Sequence, residues 1–295
     1  MQVEKNTLSP EITRVVEKST GKLVLSAVTL TGGLAANTKH VVLSDGSQVV
    51  VKTGVAGSST LAVEGKMMEY VKAHTKLPIP RPFYSSPEML VYEFVATDNC
   101  TSTLGEAAEK KAAELIAELH AITSESYGFD FDTIDTGVFQ PNGRMQKWIP
   151  FFIENRLMFS AKIACEAGKI DADMMKRLES FAGVVQRYLD EPIRPSLLHG
   201  DLSSCCILCK DSKVVAFVDI GIYFGDNEME FIYSTQRSTL SKAFFDRYNE
   251  IIPFRPGFFE VRRDIYNLYP LLIHAKVFGG VFIPRIDEIL KRFGF

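Results

Sequence analysis

The chain has 295 residues, 46% hydrophobic and 23% charged, with a net charge of −3, a length that suits two linked lobes better than one core. Charges of both signs are scattered, which excludes a dedicated nucleic-acid surface or an anionic-membrane surface. Five cysteines (Cys100, Cys165, Cys205, Cys206 and Cys209) make an odd, clustered set; that is no disulfide framework and implies a reducing, cytoplasmic setting.

In chain order, the opening MQVEKNTLSP is polar and predicts no secretory signal. Ser9-Pro10-Glu11 predicts a helix start, with Pro at the first helical position and Ile12, Val15 and Val16 following at helical spacing. Residues 23–54 read as strands broken by turns at Gly32-Gly33 and Asp45-Gly46, the second a good hairpin turn. A helix is predicted from Thr60 to His74, stopped by prolines at 78, 80 and 82, and Met89 to Tyr92 is a short apolar strand. Beyond that the chain turns helical. Thr103-x-x-Glu106 reads as a capping box ahead of a stripe of Leu104, Ala108, Ala112, Leu115 and Leu119. Met175, Leu178, Val185 and Tyr188 predict a further helix, and Tyr269 to Ile283 a buried one, too interrupted to span a membrane. Ile207 to Cys209 and Val214 to Val218 read as a hairpin about Asp211-Ser212. The expected fold class is α+β: a small N-terminal antiparallel β lobe with one helix (residues 1–94), a larger, mainly helical C-terminal lobe (residues 95–295), and a cleft between them.

The sequence lacks G-x-x-x-x-G-K-[ST], G-x-G-x-x-G after a strand, G-x-S-x-G and H-E-x-x-H. It carries His199-Gly200-Asp201, then Asp219 beyond the predicted hairpin, so both carboxylates are expected at one mouth. Phosphoryl transfer uses such a pair: one carboxylate takes or orients the acceptor proton, the other holds Mg²⁺ on the nucleotide. Lys52 interrupts the apolar run Val49 to Val51, and Glu64 on the following helix is a candidate partner. Gly32-Gly33 allows backbone N–H groups near phosphates, and Glu93 to Ala96, with Glu93 and Val95 foremost, falls where backbone groups meet an adenine edge. Each feature also has a plainer reading: Asp201 as a helix cap, Lys52 as a solvent-facing strand residue, Gly32-Gly33 as an ordinary turn. Cys206 and Cys209 have C-x-x-C spacing, but no second pair completes a zinc site.

Taken in order, Lys52, Glu64, His199-Gly200-Asp201 and Asp219 resemble the protein-kinase-like fold. More narrowly, the chain resembles the fructosamine kinase (ketosamine-3-kinase) family, a relative of aminoglycoside phosphotransferases. The narrower resemblance rests on Tyr127-Gly128-Phe129-Asp130, Gln140-Pro141-Asn142, Trp148, Phe151-Phe152, Arg156-Leu157, Pro195 to Leu202, Tyr223-Phe224-Gly225-Asp226 with Glu228 and Glu230, and Tyr266 to Gly280. It implies ATP and Mg²⁺ as cofactors and a ketosamine as acceptor, phosphorylated on its 3-hydroxyl in a route that ends in deglycation. It implies Asp201 as catalytic base, Asp219 as metal ligand, and Lys52, oriented by Glu64, on the nucleotide phosphates. The family's H-G-D-L-W-x-G-N stands here as His199 to Cys206, so Ser203 replaces a tryptophan and Cys206 the second metal position, normally asparagine. Three readings stand at this point: an active ketosamine kinase, a pseudokinase that binds nucleotide or a glycated ligand, and a kinase for another small alcohol such as an aminoglycoside or choline.

Overall fold

A computed structural model describes residues 8–30, 36–54, 60–98 and 104–295. The Gly32-Gly33 turn, Thr103 and Cys100 lie outside these residues. Helix α1 (Pro10–Thr20) starts where Ser9 caps it, its hydroxyl accepting the Ile12 N–H, and ends at Gly21 in the left-handed conformation. Strands β1 (Val24–Thr29), β2 (Ala36–Leu43) and β3 (Gln48–Gly54) follow, then α2 (Thr60–His74), β4 (Pro82–Ser85) and β5 (Met89–Glu93). They form one antiparallel sheet in the order β1-β2-β3-β5-β4. Asp45-Gly46 makes the β2–β3 turn, with Gly46 at φ +82°.

Strand alternation gives the sheet two unlike faces. Val41, Val49, Val51, Met89 and Val91 pack with Val16 of α1. Leu90 faces the other way, packing with Leu61, Met68 and Val71 of α2. This second group runs without a break into the core of the helical region, so α2 joins the sheet to the rest of the molecule. The two helices, rather than one, follow from this: both sheet faces are apolar and both need cover.

After the connector 94–98 come α3 (Glu106–His120), the short hairpin β6 (Thr133–Asp135) and β7 (Val138–Gln140), α4 (Trp148–Phe152), a π-helical turn (Ile153–Met158), α5 (Phe159–Glu166) and α6 (Ala172–Ala182). Strands β8 (Ser196–Leu198), β9 (Ile207–Lys210), β10 (Lys213–Phe217) and β11 (Tyr223–Gly225) precede α7 (Ile232–Arg237), α8 (Lys242–Ile251), α9 (Arg263–Phe278) and α10 (Ile283–Arg292). Three expectations shift. The cap of α3 is Gly105, without a side-chain hydrogen bond, so Glu106 opens the helix instead of closing a capping box. The helix expected through Tyr188 stops at Ala182; Val185 is buried from a separate 3₁₀ turn instead. Helix α9 ends at Phe278 because Gly279 takes φ +99°, and the chain restarts as α10. Among the described residues no helix is long and apolar enough to cross a membrane.

Candidate active site

Two loops meet between two small ladders. Strand β8 pairs with β11, Leu198 opposite Tyr223, and β9 pairs with β10, Ile207 opposite Phe217. Residues 199–206 leave β8 and enter β9; residues 218–222 leave β10 and enter β11. Antiparallel pairing at both ends forces the loops side by side, and main-chain bonds continue between them: Gly221 N–H to His199 O at 2.7 Å and Val218 N–H to Cys206 O at 2.9 Å. The hairpin turn is Asp211-Ser212, both residues at positive φ (48° and 59°), the twist that suits a two-residue hairpin. Asp201 and Asp219 therefore stand on neighbouring loops, as expected from the sequence. Asp219 adopts φ +57°, a conformation an aspartate tolerates better than most residues, and its side chain is 57% exposed.

The loops admit little else. Gly200 sits at φ +91°, and a Cβ there would lie 2.1 Å from Gly221 O. Gly200→Ala should cost about 3 kcal/mol, strain plus clash. Gly46→Ala, at φ +82° but with open space around it, should cost only about 1 kcal/mol. Urea midpoints of the two variants check this; equal losses would mean the two loops part easily.

Opposite the loops, Lys52 on β3 donates to Glu64 Oε1 at 2.6 Å and lies 3.5 Å from Asp219 Oδ1. Its ammonium is 5.6 Å from the centre of the Tyr92 ring. Burial opposes the lysine's charge, but Glu64, Tyr92 and Asp219 outweigh it and hold the pKa above the ordinary lysine value. Tyr92 is pushed up to about 12, chiefly by its own burial. Lys52, Glu64 and Asp219 border a small pocket whose apolar wall includes Met68, Ile79, Phe217 and Ile220. The connector is pinned to β9, where Asp98 N–H and Thr97 Oγ1 both donate to Cys209 O, at 2.9 and 2.8 Å; the segment between α2 and β4 is tied to β10 by Phe217 N–H donating to Pro78 O at 2.7 Å.

The fructosamine kinase profile matches residues 8–293. The chain belongs to the fructosamine kinase family. A protein named "Probable ketoamine kinase" from Vibrio parahaemolyticus is 32% identical over 62% of this chain and 62% of its own length, so the match spans less than two thirds of that relative. A rice protein named protein-ribulosamine 3-kinase, chloroplastic, is 29% identical over 90% of this chain and 80% of its own. Among solved structures, a Haemophilus somnus protein with a provisional fructosamine-3-kinase name superposes with a TM-score of 0.82, at 24% identity, over 96% of this chain and 97% of its own. An aminoglycoside phosphotransferase in ternary complex with ADP and hygromycin B gives 0.67, at 16% identity, over 97% and 99%. Both structures establish the kinase-like fold.

Within that fold the remaining positions sort as follows. Val95 is half-buried on the connector. Glu93 ends β5 with its side chain on the far face from Tyr92; its carboxylate accepts the Arg81 N–H at 3.1 Å and borders a separate groove with Lys22 and Phe83. Any role for Glu93 in the cleft is thus left to its backbone. Gly32 and Gly33 lie outside the described residues. Of the two positions expected from the resemblance to hold metal, Asp219 offers a hard, exposed carboxylate that fits Mg²⁺. Cys206 does not: it is buried, and burial first, then Asp201 and Asp219, push its thiol pKa well above the usual value. A neutral thiol is a poor ligand for Mg²⁺. Ser203, in the place of the family's tryptophan, is buried with its hydroxyl 3.4 Å from the Cys206 sulfur, so it builds no aromatic wall. Among the described residues, Cys165, Cys205, Cys206 and Cys209 form no disulfide.

Two positioning groups were not assigned from sequence. Glu230 is buried, and its carboxylate accepts three N–H groups: His199 at 2.6 Å, Gly200 at 3.0 Å and His120 Nε2 at 3.0 Å. Asn227 Nδ2 donates to Tyr248 OH at 3.0 Å, leaving the phenol proton for His120 Nδ1 at 2.7 Å. With His120 Nε2–H donating to Glu230, every bond in the line is satisfied. On the other loop, Gln140 Nε2 donates to Gly221 O at 2.9 Å, and Gln140 Oε1 accepts from Tyr269 OH at 3.2 Å. A carboxylate within the Tyr223-to-Glu230 motif was the sequence signal for the first; its spacing alone gave it no role.

Proposed function

We propose that this protein is an ATP-dependent kinase that transfers the γ-phosphoryl group to the 3-hydroxyl of a ketosamine, of the fructosamine or ribulosamine kind. The observation that carries this reading is Lys52 held between Glu64 and Asp219, facing the loop that bears Asp201. In the reaction the acceptor hydroxyl oxygen forms a bond to the γ-phosphorus, and the bond to the β–γ bridging oxygen breaks. The hydroxyl proton goes to Asp201, and the products are a phosphomonoester and ADP. Lys52, its charge secured by two carboxylates, stabilises the phosphate oxygens; Glu64 keeps the lysine extended across the cleft. Mg²⁺, held through Asp219, supplies further charge neutralisation. Residues 1–94 would carry the nucleotide, with backbone groups of Glu93 and Val95 at the adenine edge. Residues 95–295 would carry the acceptor. Four cysteines without a disulfide among the described residues support a reducing, cytoplasmic setting.

Incubation with ATP, Mg²⁺ or Mn²⁺, and a small fructosamine or ribulosamine tests the reading, with the 3-phosphate read by mass spectrometry. Cys206 favours a second reading, a nucleotide-binding protein that transfers nothing. ATP binding with no product under either metal would select it.

Lys52→Met should weaken ATP binding by about 10- to 100-fold, the worth of one or two charged hydrogen bonds. Calorimetric titration measures this; an unchanged affinity would take the lysine off the phosphates.

A further inference from the structure

The residue five positions after Asp201 bears on how many metal ions the site holds. Cys206 closes the 3₁₀ turn Ser204–Cys206 and is 4% exposed. Its thiol donates to the Asp201 carbonyl at 3.0 Å. Its main chain is committed as well: its N–H donates to Ser203 O at 3.1 Å, and its carbonyl accepts from Val218 at 2.9 Å. Through these bonds one residue ties the loop of Asp201 to the segment that leads from β10 into Asp219.

A carboxamide at this place would do two things at once. Its NH₂ would donate to the same carbonyl, and its oxygen would remain for a cation. A thiol does the first and not the second: its one proton is used, and its sulfur is soft where Mg²⁺ asks for oxygen. Protein kinases hold two Mg²⁺ ions with an aspartate and a catalytic-loop asparagine. Here the aspartate stands and the carboxamide does not. Among the described residues no group of three or more His, Cys, Asp or Glu side chains could cage a metal independently.

Resting on the kinase reading of Asp201 and Asp219, we propose that this protein works with a single divalent ion, delivered on the nucleotide and held by Asp219. Cys206 is a positioning residue that keeps the carboxamide's hydrogen bond to Asp201 and gives up its metal ligand. The site is then a one-ion variant of the family's, not a ruined two-ion one, because the bond that shapes the loop survives the substitution.

Native mass spectrometry of the full chain with AMP-PNP and Mn²⁺ counts ions per bound nucleotide without requiring turnover. The wild type should carry one Mn²⁺ per nucleotide, Cys206→Ala also one, and Cys206→Asn two. Two ions in the wild type overturn the proposal, and the wild-type count stands even where the Asn variant fails to fold. One ion in a folded Cys206→Asn overturns the assignment of the missing ion to this residue. Bound nucleotide with no Mn²⁺ at all removes Asp219 as a ligand; no bound nucleotide removes the kinase reading itself. The positioning role is read separately. Cys206→Ala should lower kcat several-fold with the KM for ATP unchanged, and Cys206→Asn, which restores the donor, should recover it. A kcat unaffected by Cys206→Ala overturns that role.

Discussion

Asp201→Asn should lower turnover by about 10³-fold, within the range expected for loss of a general base, while ADP still raises the melting temperature. The substitution nearly preserves shape, and two of this residue's contacts are made by its main chain. Its carbonyl accepts the Cys206 thiol, and its N–H lies 3.4 Å from His199 Nδ1. Burial holds the His199 imidazole neutral, able to accept. The loop should therefore keep its path while losing its proton acceptor. Nucleotide binding depends on Lys52 across the cleft, so the ADP-dependent thermal shift should persist. Turnover within a few-fold of wild type would remove Asp201 as the base. Loss of the thermal shift together with turnover would show that the carboxylate shapes the cleft instead of acting on the acceptor.

What was legible in the sequence was mainly what local chemistry determines. Helix α2 runs from Thr60 to His74, the limits set by its apolar spacing and the prolines beyond. The Asp211-Ser212 turn follows from residues that tolerate positive φ between two apolar runs. Lys52 stood out because a lysine inside an apolar strand needs a partner, and Glu64 is that partner. What escaped depends on residues far apart in the chain. His120 reaches Glu230 across 110 positions, and Gln140 reaches Gly221 across 81. Neither has a spacing that a helix or strand period would flag, since each acts on a main-chain group of another element. The β6–β7 hairpin escaped for a different reason. Its strands are three residues each, too short for a period, and its only signal is the Thr136-Gly137 turn at φ 49° and 76°. Glu93 shows the limit of placement by sequence position: its location at the end of β5 was legible, but the face its side chain takes is decided by strand parity relative to Tyr92.

Glu230→Gln should destabilise the fold by roughly 2–4 kcal/mol, the worth of a hydrogen bond to a charged group plus a donor left unpaired. It should also lower kcat by about 10- to 100-fold, the scale on which small displacements of a reacting group act. The reason is geometric. Glu230 Oε2 accepts from both His199 N–H and His120 Nε2, while Oε1 accepts from Gly200 N–H. An amide oxygen can replace one of these acceptors, but its NH₂ then faces an N–H, and two donors meet in a dry site. With the oxygen kept on the His199 side, the Gly200 N–H is the one stranded, directly before Asp201. The loop has little room to adjust, because Gly200 is already packed on Gly221 O. The pH dependence separates charge from packing. Burial alone would raise the Glu230 pKa, but the hydrogen bonds from the His120 side chain and the His199 main chain hold it below the ordinary glutamate value. A lowered folded pKa means the carboxylate's stabilisation is complete above about pH 4.3, its value in the unfolded chain, and is lost as pH falls through the lower folded value. The wild type should thus exceed Glu230→Gln in urea midpoint by its full margin near neutrality, and the margin should shrink on acidification toward about pH 3. A margin that stays constant over that range would show that the charge of Glu230 is not what holds the loop of Asp201, and that the lost packing accounts for the whole effect.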